Sequence, residues 1–496
     1  MLRVQDIALL LAFIGLKIWL LFAWPLLGNE AYWIGLADHA ALGYYDQPPM
    51  LGWLLAIMQT QSDALWWYRS VGFLSAVALS WGIFVLLSVA EPSLVFRRRH
   101  MLAALAFFVS PASLFLITTS PHALLALFGF AGVAFYAVAV IRRAPLWAAF
   151  AGLFLGAALL SSPWAMVLFL GLVVFSVFHY AKVGWLAPVL AGTGVFALGA
   201  IGFAYNFTHC WNHVLYGVFL PLEEAQFGYE NLLAFLAVVL LFIGPWSVWY
   251  WRRCGARYTG IWQSDIGRVV SWSALPYLGV LLLVSLWHSV GLHWPILAIP
   301  VAWLVFRALP EAALLGLFRW SAACSLVIVG LVAMFLQDPA RWLGPNDRHS
   351  LALFTQTEQA CAAIAPIEGP LFTLGQSSQA VIGVACKRPQ THIFASLSKF
   401  GREDDLNVDL KALDGAQLHL LLLGQDELVR IEPFFESIET QPIAVGASSY
   451  LLAKATGFRY DAYRTQILTP VVRRFYEAPY WFPQPGGCPV KERYGL

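Results

Sequence analysis

The chain of 496 residues is 60% hydrophobic, 15% aromatic and only 12% charged, too apolar for a domain that faces water on all sides. Thirty Lys and Arg against 28 Asp and Glu leave a formal charge of +2, without the strongly basic footprint of a nucleic-acid-binding protein. An integral membrane protein remains, and its 22 Trp, 35 Phe and 18 Tyr suit helix ends lying at the lipid headgroups.

The first apolar run, "IALLLAFIGLKIWLLFAWPLL", is longer than the roughly 7–15 residues of a signal h-region and lacks a small-residue cleavage site, so it reads as a retained helix. A span takes about 20 mostly apolar residues. On that basis the candidates are residues 6–27, 65–90, 101–118, 122–141, 145–161, 163–181, 185–204, 231–251, 270–287, 294–309 and 314–336. These are eleven. Residues 145–161 and 163–181 are parted only by "SSPW", whose proline ends one helix and starts the next.

Arg3, the triplet Arg97, Arg98 and Arg99, then Arg142 and Arg143, Lys182, and Arg252, Arg253, Arg257 and Arg268 fall at every second connection. Short cytoplasmic loops collect such residues, so the N-terminus is expected inside. Residues 28–64, 118–121, 205–230, 288–293 and everything after 337 are then outside. Two charges fall within spans, where they are costly: Arg319 is awkward, and Lys17 faces a partner or cavity or makes a structural contact.

Residues 1–336 thus read as a transmembrane domain with an interfacial first loop at 28–64, and 337–496 as an extracytoplasmic domain. In the latter, "GPLFTLG", "QTHIFAS" and "AQLHLLLLG" read as short buried strands and "SSQAVIGVAC" as a helix, the alternation of a small α/β domain. An extracytoplasmic compartment permits disulfides, and Cys361 with Cys386 is the candidate pair. "KFGREDDLNVDLK" reads as a solvated turn. The tail "YRTQILTPVVRRFYEAPYWFPQPGGCPV" reads as a surface resting on the membrane or as a packed helix followed by a loop.

The outer loops are rich in groups that a passive tether does not require. Loop one carries Glu30, Asp38, His39 and Asp46; "TTSPH" adds His122; "YNFTHCWNH" adds Asn206, His209, Trp211 and His213; "WHSVGLHWP" adds His288 and His293. Such carboxylates and imidazoles bind a divalent cation or do acid-base work, and spacing does not choose between these. The plain alternative for each is a solvated loop charge. Loop one stands out because "ADHAALGYYDQPPMLGWLLAIM" suits a segment lying along the interface, with Pro48 and Pro49 restricting the backbone before them. Arg69, beside three aromatics at the outer start of the second span, is placed either to meet a lipid phosphate or to snorkel at a helix end.

"NEAYW…LGYYDQPPMLGWL" resembles the first extracytoplasmic loop of membrane glycosyltransferases with the C-type fold, the bacterial relatives of protein O-mannosyltransferases and of the lipid A aminoarabinose transferase. That loop typically reads "DEAYYW…GYxDHPP". "TTSPHALLALF" stands where the family has "TPDAPLLFF", "YNFTHCW" where it has "WNxxHxW" and "GLHWPILAIP" where it has "xxWPAPAY". Residues 376–424 also resemble the family's terminal domain, so the likeness spans almost the whole chain.

The resemblance implies an inverting transferase that moves a sugar from a polyprenyl-phosphate donor to an acceptor hydroxyl of lipid A, a glycan or a protein, at the outer face of the bacterial inner membrane. It implies Glu30 and Asp46 as catalytic carboxylates, with Asn29 at the position of the family's first aspartate. Arg69, Tyr45 and Gln47 match positions near the donor phosphate, and His122, Asn206, His209, Trp211 and His293 match substrate-binding positions. A divalent ion (Mg, Mn or Zn) would take Glu30, Asp46 and His122 as ligands. Four departures stand out: Asn29 is not a carboxylate, Gln47 replaces a histidine or lysine, His122 replaces an aspartate, and "SSPWA" at 161–165 lacks the lysine of the family's "LSKYT". An altered or inactive relative that binds polyprenyl-phosphate lipids in membrane assembly is therefore the alternative. A transporter is the rival class, but the chain shows no repeated halves and its polar groups gather at one face.

Overall fold

The structure, a computed structural model, describes residues 3–223, 225–254, 263–291, 293–337, 342, 351–446 and 448–496. Arg257 lies outside the described residues, and the expected boundary between the two domains falls at the end of the helix Glu311–Gln337.

Six of the expected spans are helices long and apolar enough to cross a membrane: Val4–Ala23, Leu65–Ala90, Pro121–Arg142, Leu186–Thr208, Asp265–Val284 and Glu311–Gln337. The other five are shorter or broken. Leu94–Phe108 is followed by Pro111–Phe115, where the Ser110 side chain caps the new helix by accepting the amide of Ser113. Trp147–Leu159 and Ala165–Phe178 are interrupted around Pro163, as expected. Tyr229–Ile243 stops at Gly244, whose φ of +78° favours glycine, and Pro245 starts the next helix. Ile299–Ala308 is helical in two pieces, the second tightened to a 3₁₀ turn.

Helices approach closely where side chains are small. A Cβ on Gly152 would lie 2.2 Å from the carbonyl oxygen of Ala191, so Trp147–Leu159 and Leu186–Thr208 touch backbone to backbone. The two charges within spans are both partnered. Lys17 Nζ donates to the Ser113 carbonyl (3.0 Å) and Oγ (2.6 Å) and lies 4.5 Å from the Phe108 ring centroid, which is the structural contact. Arg319 forks onto Asp6 at 2.8 and 3.1 Å.

One end of the helical domain is a charged seam. Arg98 pairs with Glu311 at 2.6 Å, Arg307 with Glu91, and Lys182 with Asp265. The opposite end carries loop one, folded as the helix Gly28–Gly35, the 3₁₀ turn Leu36–His39, an irregular stretch and the helix Met50–Gln59.

On that end sits the α/β domain. Its sheet contains β1 (Leu371–Thr373), β2 (Thr391–Ile393), β3 (Leu418–Leu422), β4 (Ser437–Val445) and β5 (Ser448–Thr456), in the order β2-β1-β3-β5-β4. β1 runs parallel to β2 and β3, and the β4–β5 hairpin is antiparallel. The Cys361–Cys386 bridge forms inside this domain. A second bridge, Cys210–Cys488, ties the loop after Leu186–Thr208 to the chain's tail. The tail packs as the helix Thr469–Phe475, a loop and the helix Pro489–Tyr494, with Tyr480 and Trp481 exposed.

Candidate functional site at the domain junction

The helix Gly28–Gly35 lies against the helix Gln376–Ala385 so closely that a Cβ on Gly28 would come within 2.5 Å of Ser377. Farther along loop one, Tyr45 inserts its ring into the core of the α/β domain, edge-on to Tyr216 and beside Tyr476. The junction is therefore a packed interface, and loop one is held from both sides.

Glu30 and Arg69 are fully internal. Arg69 Nε and Nη2 donate to the two Glu30 oxygens at 2.9 and 2.6 Å, and its other donors reach the carbonyls of Leu21, Trp24 and Pro25. Glu30 also accepts the Thr119 amide at 2.9 Å. Arg69, at 0% exposure, neither snorkels nor presents a donor to a lipid phosphate. With Arg69 and Thr119 as partners, Glu30 is equally ill placed to serve as a base. Tyr45, expected beside that phosphate, is buried to its hydroxyl. Asn29 points outward, exposed, on the same helical turn.

Asp46 has a different environment. Half-buried, it accepts a hydrogen bond from the Tyr32 hydroxyl, and burial pushes its pKa up to about 6 against the pull of that bond and of the Gln47 side chain. Glu403 arrives from the α/β domain and accepts the Tyr45 amide at 2.7 Å. Burial raises its pKa to about 8, and the Asp46 charge adds to the rise. Glu403 belongs to the segment expected as a solvated turn; Arg402 and Asp405 beside it are buried and paired at 3.4 Å. Nothing local in "KFGREDDLN" marks Glu403, because its partner Tyr45 lies 358 residues away.

His122 and His293 stack face to face, ring centroids 3.8 Å apart, with Trp33 edge-on to His122. The Nε2 of His122 is buried and has no partner among the described residues. Burial holds His293 down at about 4, so at neutral pH it is uncharged. The remaining expected site residues make contacts within the fold. Asn206 accepts the Val214 amide and donates to the Gly202 carbonyl; His209 stacks on Tyr205 at 4.2 Å; Trp211 packs against Phe203, Phe207 and Phe482. His288 is bound to the Pro221 carbonyl.

Glu30, Asp46 and His122 do not fit a shared divalent ion. Among the described residues no group of three or more His, Cys, Asp and Glu comes together to hold one, and the Glu30 carboxylate is committed to Arg69. Between loop one and the α/β domain lies an open cavity, lined in part by Tyr32, Tyr44, His392 and Glu403.

No protein-family model matches the sequence, and no curated protein matches it. The solved structures do. ArnT from Cupriavidus metallidurans bound to undecaprenyl phosphate aligns with a TM-score of 0.60 over 91% of this chain and 97% of its own, at 14% identity. The apo state of that protein gives 0.57 over 90% and 97%, also at 14%. This chain has the ArnT fold. The match covers helical domain and α/β domain alike.

Proposed function

We propose that the protein is a membrane glycosyltransferase that moves a sugar from a polyprenyl-phosphate donor to an acceptor hydroxyl at the outer face of the bacterial inner membrane. The observation that carries this reading is Asp46: a half-buried carboxylate on an ArnT-like scaffold, ionised near neutral pH and placed where the interfacial loop meets the outer domain. The acceptor hydroxyl must lose a proton as it attacks the anomeric carbon, and a carboxylate tuned close to the working pH does this best. With Asn29 unable to act as a base and Glu30 committed to Arg69, Asp46 takes that role. The bond from the anomeric carbon to the phosphate oxygen breaks on the opposite face, with inversion, and polyprenyl phosphate departs. His122 and His293, stacked on each other with Trp33 edge-on to His122, supply the polar and aromatic groups for the donor's headgroup. The N-terminus and the charged seam are assigned to the cytoplasm by their Lys and Arg.

The alternative reading, a relative that binds the lipid without turning it over, draws on Asn29, which leaves the family's first acidic position without a charge. One experiment separates them: purified protein with a panel of polyprenyl-phosphate sugars, following polyprenyl phosphate release with and without EDTA. Release from at least one donor is expected, undiminished by EDTA because the three candidate ligands do not converge. Tight lipid binding with no release would favour the alternative, and loss with EDTA would place a metal in the site.

A further inference from the structure

The cavity between loop one and the α/β domain has a charge that decides what it can hold. Its wall includes the carboxylates of Asp38 and Asp404 and the protonated carboxyl of Glu403, and among the described residues contains no Lys or Arg. A phosphate group entering there would meet like charge with no cation to receive it. The wall is also rich in hydrogen-bonding groups, with Tyr44, His392 and Asn407 beside those carboxylates, while Leu36 and Ile393 offer apolar patches.

Glu403 gives the cavity its direction. One of its oxygens is fixed by the Tyr45 amide at 2.7 Å and the other has, among the described residues, only a long 3.4 Å contact from Asn407, so the carboxyl keeps hydrogen-bonding capacity for a ligand's hydroxyl. Tyr32, another wall residue, donates to Asp46, so a group bound against Tyr32 and Glu403 lies next to the proposed base. Asp404 is held by the Ile393 amide at 2.6 Å and stands 3.7 Å from His392, which makes this side of the wall preformed.

We propose that this cavity is the acceptor subsite and takes an unphosphorylated sugar, neutral or amino-substituted, with Glu403 of the α/β domain as the residue that positions its hydroxyl. This rests on the transferase reading for its role as acceptor site, but not for the binding itself. Neutral and cationic sugars satisfy the hydroxyl-accepting wall; a sugar phosphate does not.

The test uses the full-length protein in detergent and ligand-observed NMR with three probes: glucosamine, N-acetylglucosamine and N-acetylglucosamine 6-phosphate. The first two should show saturation transfer, and the phosphate should bind about tenfold more weakly or not at all. Glu403→Ala should weaken glucosamine by about tenfold, the loss of one hydrogen bond, with undecaprenyl phosphate binding unchanged. Should that variant fold poorly, Gly383→Trp serves instead: Gly383 lines the cavity with no atom other than the 3.7 Å Arg388 carbonyl near its Cβ position, and the indole would fill the space. Absence of transfer from both sugars, equal binding of the phosphate, or sugar binding that survives both substitutions would overturn the proposal. Donor turnover without sugar binding would sink the subsite alone; sugar binding without donor turnover would sink the transferase reading and leave the subsite standing.

Discussion

Arg69 carries five N–H donors, and the fold satisfies all five with the Glu30 carboxylate and three carbonyls at the end of the first helix. Sequence reading finds both residues, because charges beside an apolar run stand out, but it cannot find the pairing across 39 positions that turns them from reagents into a joint. Arg69→Ala would leave the Glu30 carboxylate buried without its counter-charge, an expected loss of about 3–5 kcal/mol. Thermal unfolding in detergent should show it as a lower midpoint; an unchanged midpoint with lost donor turnover would return Arg69 to the chemistry. Glu403 is the reverse case, invisible in sequence and prominent in the structure. Its pKa, about 8 against 4.5 for the ordinary group, means that the folded protein holds this proton more tightly than the unfolded chain does. Its stabilising contribution is therefore complete below about pH 4.5 and is lost as the pH rises through about 8. The wild-type unfolding midpoint should decline over that window, and Glu403→Gln should flatten the decline.

The strands β1, β2 and β3 are legible as short apolar runs between turn residues, and all three form where expected. The β4–β5 hairpin is not, and the reason is physical: β4 is an edge strand, mostly exposed, with Pro442 opposite Leu451, so it lacks the alternation that marks a half-buried strand. The same limit applies to the helices. Apolar length identifies each segment, but breaks at Ser110, Gly244 and the 3₁₀ turn Leu304–Ala308 come from caps and packing. Close approach is likewise a property of two elements together. Gly152→Leu should force Trp147–Leu159 off Leu186–Thr208, since even a Cβ would come within 2.2 Å of the Ala191 carbonyl oxygen. The expected result is a lower unfolding midpoint and less folded protein in detergent; an unchanged midpoint would mean that the two helices do not meet there.

At the scale of the whole molecule, the working unit is the junction of the two domains. Tyr45 anchors loop one in the α/β domain, Glu403 returns the contact, and Cys210–Cys488 closes the circuit between the helical domain and the tail. The sequence makes the division into two domains and the importance of loop one readable through composition and motif. How the domains share a site depends on contacts between distant residues, and only the fold supplies those. Within this arrangement, Asp46 is the residue on which the proposed chemistry turns. The most direct test is the pH dependence of polyprenyl phosphate release from a competent polyprenyl-phosphate sugar, in wild type and in Asp46→Asn. Release by the wild type should rise as the pH passes about 6, where Asp46 ionises, and the variant should fold normally and lose at least about a hundredfold in rate. Release that is equally fast in Asp46→Asn, with the same pH profile, would contradict the assignment of Asp46 as the base.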